Sequence, residues 1–247
     1  MQHYFIDKEL TEHQTFILPN DIYHHFVSVL RSKVGEKCEI VDSSEKNFIA
    51  QLISTAKDEV NIKILELNPK NVEFPYSVNI ICGIPKKEKA EWIVQKATEM
   101  GAKSITFVDT DWSIAKWTGN KINRKLERLN KIARSAAEQS HRNIIPKVGF
   151  YNNIQEIKNV NYDVKVLAYE ESAKQGEKSA LKTCLDNLKQ NNSIVAFFGP
   201  EGGISPKEVN CLNELGFINC GLGARILRTE TAPLYFLSAL SFECELR

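Results

Sequence analysis

No stretch of this 247-residue chain approaches the roughly 18 consecutive apolar residues that a membrane-spanning helix requires. Its opening, MQHYFIDKEL, lacks the basic and apolar regions of a secretory signal. Both absences predict a cytoplasmic protein with no membrane partner. The six cysteines, Cys38, Cys82, Cys184, Cys211, Cys220 and Cys244, contain no Cys-x-x-Cys pair and no histidine cluster at zinc spacing. Free thiols in a reducing compartment are expected, with no disulfide framework and no metal. Internal repeats and low-complexity tracts are absent too. With 43% hydrophobic and 26% charged residues and a mean hydropathy of -0.30, the chain can bury a sizeable core.

Charge of one sign is also lacking, because the formal net charge is only +1. The distribution is uneven, however. Residues 1–72 carry 8 basic and 11 acidic side chains, whereas residues 85–147 carry 14 basic and 7 acidic. In the second stretch Ile122, Leu126, Leu129, Ala133 and Ala136 recur at steps of four and three, which marks one face of a helix. Arg124, Arg128 and Lys131 fall on another face and are candidates for phosphate contact.

The first 70 residues read as short strands, CEIVD, FIAQLIS and VNIKILELN, and suggest a small β-barrel-like module. Before them, residues 21–31 suggest a helix capped by Asn20 or Asp21. Prolines at 69 and 75 break the pattern, which places a domain boundary between residues 72 and 73. From residue 77 onward strands and helices alternate, from VNIICGI and KKEKAEWIVQKATEMG through SALKTCLDNLKQ and IVAFFG to FINCGLG and TAPLYFLSALSFE. Alternation of this kind predicts an α/β layer on a mostly parallel sheet. Gly101 and Gly216 sit where helices should stop. Ser205-Pro206-Lys207-Glu208 has the form of a capped helix start.

Ligands of parallel α/β sheets bind at the carboxyl ends of strands, and two glycine-rich segments occupy such ends: FFGPEGGISPKE from 197 and GLGARILRTETAP from 221. Neither is a P-loop, since no Gly-Lys-Ser/Thr triplet follows Gly199, and neither is a dinucleotide fingerprint, since position 226 is Ile226. A Gly-x-Ser-x-Gly elbow is missing, and His3, His13, His24, His25 and His141 lie outside both loops, which disfavours serine hydrolase chemistry.

GPEGG at 199–203 and LGARILRTETA at 222–232 resemble the C-terminal signature of the RsmE family, the 16S ribosomal RNA uridine-N3 methyltransferases of the SPOUT class. Similar motifs occur at Lys96–Gly101, at Ala136–Pro146 including Arg142, and from His25 through Arg31, so the resemblance spans nearly the whole chain. It implies a PUA-like β-barrel RNA-binding domain over 1–72, then a SPOUT methyltransferase domain over 73–247 whose C-terminal segment forms a trefoil knot. It further implies S-adenosylmethionine bound in the knot, a homodimer, and 16S rRNA or the assembled small subunit as substrate. Carried over by position, the cofactor-binding residues are Leu167, Ala168, Tyr169, Phe198, Gly199, Glu201, Gly202, Leu222, Gly223, Ile226, Leu227 and Arg228.

Methylation at uridine N3 requires loss of an imide proton, orientation of the base, and stabilisation of the developing oxyanion; it requires no metal. Arg228 is the candidate to fix a uracil carbonyl or the cofactor's carboxylate, and Glu201 or Glu230 to orient or deprotonate the base. His25, Arg31, Arg124, Arg128, Lys131 and Arg142 are the candidate RNA contacts. The rival readings are a SPOUT ribose 2'-O-methyltransferase and a non-catalytic RNA-binding or ribosome-assembly factor.

Overall fold

The structure is a computed structural model that describes residues 1–56, 59–171, 180–190 and 192–246. The chain divides into two units, Met1–Glu73 with Glu138–Ile144, and Phe74–Ala137 with Ile145–Arg247.

The first unit is built on β1 (Gln2–Phe5), β2 (Thr15–Ile17), β3 (Lys37–Val41), β4 (Asn47–Ala56) and β5 (Glu59–Leu67). They form one sheet in the order β1-β3-β4-β5-β2, antiparallel except for the β1–β3 pair. Register shifts between Ile49 and Ala50 and between Leu52 and Ser54 place bulges in the β4–β5 ladder, and bulges sharpen local twist. Ile40, Ala50, Leu52, Ile62 and Ile64 are fully buried on this sheet. The three strands read from alternation are present. β1 and β2 escape that reading because β2 has three residues and His3, Tyr4 and Phe5 of β1 are all buried, so neither offers a polar–apolar rhythm.

The helix expected over 21–31 is shorter and differently capped. α1 spans Asn20–Tyr23 after Pro19, with no side-chain cap bond, and opens into a π-helical turn over His24–Val29. The wider winding shows in the Leu30 N–H donating to the His25 carbonyl at 3.0 Å. Val27 and Val29 are β-branched and favour a narrow helix poorly. The turn still sends Ile22 and Phe26 into the core, 3% and 1% exposed.

The second unit holds six strands, all parallel, in the order β11-β9-β10-β6-β7-β8. They are β6 (Ser77–Gly83), β7 (Ser104–Val108), β8 (Lys147–Tyr151), β9 (Val164–Ala168), β10 (Ser193–Phe198) and β11 (Ile218–Cys220). Between them run α2 (Lys89–Glu99), α3 (Asn120–Gln139), α4 (Ala180–Asp186) and α5 (Pro206–Glu214), and α6 (Ala232–Ser241) follows β11. Ser179, the first residue of the segment read as α4, lies outside the described residues. β8 carries Gly149 and no alternation, which hid it from the sequence pattern.

Both faces of this sheet are covered, so its strands are continuous apolar runs. Ile80, Cys82, Ala196 and Phe198 face one core with Ile93, Val94, Phe236 and Leu237. Ile81, Val195, Phe197 and Leu167 face the other with Val209 and Leu212. All six cysteines are free, and four are buried. Gly101 and Gly216 take φ of +91° and +86° at the ends of α2 and α5, the left-handed conformation that terminates a helix at low cost.

α5 begins with a complete capping box. The Ser205 hydroxyl accepts from the Glu208 N–H at 3.2 Å and the Glu208 carboxylate accepts from the Ser205 N–H at 3.0 Å, with Pro206 in the first turn. The same hydroxyl donates to Asp111 at 2.7 Å, and the Asp111 N–H donates to Glu208 at 2.8 Å. Ser205→Ala should therefore destabilise the protein by about 1–2 kcal/mol, read as a lower urea midpoint at unchanged slope. An unchanged midpoint would mean that the cap contributes nothing to stability.

Candidate cofactor site at the strand ends

β11, β9 and β10 are neighbours, and their last residues are in register: Cys220 pairs with Ala168, and Ala168 with Phe198. Three chain segments therefore leave the sheet side by side. The loop after Phe198 turns at once, the Gly203 N–H donating to the Pro200 carbonyl at 2.9 Å with Gly203 at φ +81°. A Cβ on Gly199 would lie 2.7 Å from Ile204, and one on Gly202 would lie 2.7 Å from the Trp112 carbonyl oxygen and 3.0 Å from its Cβ. Glycine at 202 is thus demanded by the protein's own packing against the Trp112 backbone.

The loop after Cys220 contains Gly223 at φ +86° and exposes Ile226, which is 72% accessible. Its end is pinned to the first loop by the Thr229 hydroxyl, which donates to the Gly199 carbonyl at 2.6 Å. The Arg228 carbonyl accepts from Thr231 at 2.8 Å and from Ala232 at 3.0 Å, which fixes Arg228 at the entry to α6.

A second tie is ionic. Lys89 of α2 places Nζ 3.0 Å from Glu201 and 2.9 Å from Glu230. Hydrogen bonds that Lys89 donates to Glu230 and Glu201 raise its pKa against the opposing effect of burial. Burial alone would raise the Glu201 carboxyl, but the Lys89 hydrogen bond and the backbone N–H groups of Glu201 and Lys86 carry it below its ordinary value. Glu230 moves the same way, with burial again outweighed by Lys89 and by the charge of Arg228. Both carboxylates are ionised and engaged.

These segments enclose a cavity of about 860 Å³, within the size range of small-molecule sites. Its walls include Ala168, Tyr169, Phe198, Gly199, Glu201, Gly202, Leu222, Gly223, Ile226, Leu227 and Arg228, so eleven of the twelve positions carried over for the cofactor meet in one place. The twelfth, Leu167, does not reach the cavity. Side chains alternate along a strand, and that of Leu167 is fully buried in the core beneath α5. Glu230 also stands outside the wall, turned toward Lys89. Lys89, Trp112 and Thr229 were missed by sequence reasoning. Lys89 is one of three lysines between 86 and 89, and nothing local separates it from the others.

The candidate RNA contacts are dispersed. Arg124, Arg128 and Lys131 are exposed on α3 opposite the buried Leu129, Ala133 and Ala136, though Arg128 already pairs with Glu91 at 2.8 Å. Arg31 is exposed with φ +56°, and exposed His25 shares a hydrogen bond of 3.0 Å with the Tyr4 hydroxyl. Arg142 departs from the expectation. It is 3% exposed and its guanidinium is taken up by Glu73, because the first unit closes over it.

Comparison with known proteins now gives the fold and site a class. Residues 72–241 match the model of an RNA methyltransferase domain, and residues 18–65 match that of an RNA methyltransferase PUA domain. The fold and site are those of an RNA methyltransferase with a PUA module. The chain is 42% identical to the ribosomal RNA small subunit methyltransferase E of Bacillus subtilis, over 100% of this chain and 98% of that one. Identity to the Buchnera aphidicola (Acyrthosiphon pisum) protein of the same name is 32%, over 96% and 91%. Among solved structures, the Neisseria gonorrhoeae ribosomal RNA small subunit methyltransferase E bound to S-adenosyl methionine superposes with a TM-score of 0.83 at 28% identity, covering 98% of this chain and 97% of that one. The chain belongs to the ribosomal RNA small subunit methyltransferase E family.

Because the Cβ of any residue at 202 must displace the Trp112 backbone, Gly202→Val should distort the loop that walls the cavity. The expected result is a rise of about tenfold or more in the dissociation constant for S-adenosylmethionine, equivalent to about 1.4 kcal/mol, in a folded protein. Calorimetric titration giving wild-type affinity would show that loop position does not govern cofactor binding.

Proposed function

We propose that this protein transfers a methyl group from S-adenosylmethionine to N3 of a uridine in 16S rRNA, presented as free RNA or within the small ribosomal subunit. The observation that carries the reading is the convergence of both glycine-rich loops and Arg228 on one cavity at the level ends of β11, β9 and β10. The bound cofactor of the Neisseria relative supports it. The site suits that cofactor chemically: glycine backbone allows close approach, Phe198, Leu222, Ile226 and Leu227 offer apolar wall, and ionised Glu201 can accept hydrogen bonds from hydroxyl or ammonium groups.

When bound, S-adenosylmethionine would supply an electrophilic methyl group and leave as S-adenosylhomocysteine, with the N3 proton passing to solvent. The protein's residues then have to orient the uracil and stabilise negative charge on it. Glu201 and Glu230 are poor proton acceptors, since Lys89 holds both below the ordinary carboxylate range and an efficient base needs a pKa near the working pH. In this reading Glu201, on the cavity wall, orients the base, and Glu230, turned away from the cavity, holds Lys89 in place. Arg228, at the cavity wall, holds either a uracil carbonyl or the cofactor's carboxylate, and in the first role it stabilises the developing oxyanion.

The reading includes three further parts. The segment that contributes both loops threads into a trefoil knot. The first unit and the basic face of α3 hold RNA. Two copies pair to complete the site, the surface of the second unit offering Trp92, Trp112, Ile114, Ile226 and Phe242 as exposed apolar groups. The run from Ala232 to Leu237 contributes less than its composition suggests, because Pro233, Phe236 and Leu237 face the protein's own core and leave Tyr235 outside.

Nucleoside mass spectrometry of 16S rRNA and of small subunits treated with enzyme and cofactor tests the reaction. 3-Methyluridine is expected; a ribose-methylated nucleoside would identify a 2'-O-methyltransferase, and RNA binding without methylation an assembly factor. Arg228→Ala should lower turnover by about a hundredfold, the scale of losing one oxyanion donor; wild-type turnover would remove Arg228 from the reaction.

Reversing Arg124 and Arg128 to glutamate should weaken RNA binding and flatten its log-log salt dependence by about 0.7–0.9 for each phosphate no longer neutralised, with cofactor affinity unchanged. An unaltered RNA affinity would return that face to solvated surface. Light scattering reports the pairing directly, since a monomer at micromolar concentration contradicts it.

A further inference from the structure

Away from the cofactor cavity, the first unit gathers three side chains that methyl transfer does not use. His3 of β1, Glu39 of β3 and His141 in the turn after α3 each bring one potential ligand atom within 4.8 Å of the others. Glu39 Oε2 is 2.9 Å from His3 Nδ1 and 2.7 Å from His141 Nδ1, so one carboxylate oxygen meets two imidazole nitrogens.

The other nitrogen of His3 fixes the chemistry. Nε2 lies 2.8 Å from the Arg142 carbonyl oxygen, which can only accept, so Nε2 carries a hydrogen. In a neutral ring Nδ1 is then a bare lone pair aimed at a carboxylate oxygen. Two lone pairs at hydrogen-bond distance need a positive charge to hold them, either a proton on Nδ1 or a metal ion that draws the two atoms slightly apart to take its own ligand distances. An imidazole whose far N–H donates to a backbone carbonyl is the usual outer arrangement of a metal-ligating histidine.

Two further features of the set suit a metal. His141 takes φ +56°, a left-handed conformation that residues with a Cβ seldom adopt, and it does so while its ring meets Glu39. The side chains of His3, Glu39 and His141 are 0%, 11% and 36% exposed, which leaves the set open on the His141 side to a water ligand. Arg142 is engaged by Glu73, and Asn68 approaches the other Glu39 oxygen at 3.5 Å, leaving Oε2 to the two imidazoles. Two imidazoles, one carboxylate and an open position form a donor set suited to zinc.

We propose that His3, Glu39 and His141 form a zinc-binding site that ties β1 and β3 to the turn following α3. The site plays no part in methyl transfer. It acts as a staple for the first unit, whose Glu138–Ile144 segment is far in sequence from the strands it joins.

The test uses the full chain, stripped with a chelator and titrated with zinc and with cobalt. One zinc per chain is expected, bound with micromolar or tighter affinity near neutral pH, and cobalt should give a tetrahedral visible spectrum without a thiolate charge-transfer band. His141→Gly removes a ligand while suiting the left-handed backbone, so it should fold and lose at least about tenfold in zinc affinity. His3→Gln should do the same, whereas Cys211→Ala and Cys244→Ala should not. Zinc binding that is absent, unchanged in His141→Gly, or accompanied by a thiolate band overturns the proposal. So does a metal-indifferent protein whose stability falls as histidine deprotonates and loses that dependence in His141→Gly, because a proton would then fill the gap.

Discussion

The level ending of three adjacent parallel strands is the constraint on which the site depends. Cys220, Ala168 and Phe198 share one line across the sheet, so the segments that follow them must diverge within a few residues or collide. Where they stay close, side chains are eliminated. A Cβ on Gly83, which follows Cys82 on the neighbouring strand, would collide with the Pro200 ring, and Gly199 and Gly202 are similarly hemmed in. Lack of side chains here answers crowding inside the protein as much as the approach of a ligand. The loops are held apart by this packing and joined at particular points, among them Thr229 to Gly199 and Lys89 to Glu201 and Glu230.

Much of this frame is legible in the sequence for local reasons. Strand–helix alternation, the Ser205 capping box and the terminating glycines at 101 and 216 are each written within a few residues of where they act. The two glycine-rich loops announce themselves in the same way, and the family resemblance extends the reading to most of the cavity wall. What is not legible depends on pairing over distance. Leu167 and Ala168 are adjacent and apolar, and only the pleat decides that one faces the core and the other the cavity. Arg142 carries the same charge as Arg124 but meets Glu73, a partner that no periodicity reveals. β1 and β2 are too short and too evenly buried or broken to show a rhythm, and His3, Glu39 and His141 are scattered over the chain until the first unit assembles.

The division into units likewise depends on a distant pairing. A composition break near residue 72 is visible, yet Glu138–Ile144 groups with residues up to Glu73. Glu73 itself gives the physical cause. Its carboxylate accepts from the N–H groups of Asn143 at 2.9 Å and Ile144 at 3.2 Å as well as from the Arg142 guanidinium. A largely buried carboxylate satisfied by so many donors from one turn fixes that turn's backbone, and enclosing it without them would be costly.

Electrostatics at the cofactor site also sets its response to pH. Glu201 and Glu230 have folded pKa values below their ordinary 4.5, so the stability they contribute is present above that pH and is lost as pH falls through the depressed values. Lys89 is raised above its ordinary 10.5, so its contribution is complete below that pH and is lost as pH rises through the folded value. Between these limits the three groups keep one charge state. The tie from α2 to both loops is therefore indifferent to pH across the neutral range, and any pH dependence there must come from groups outside this triad. The shape of both loops is thereby set independently of whatever titrates inside the cavity.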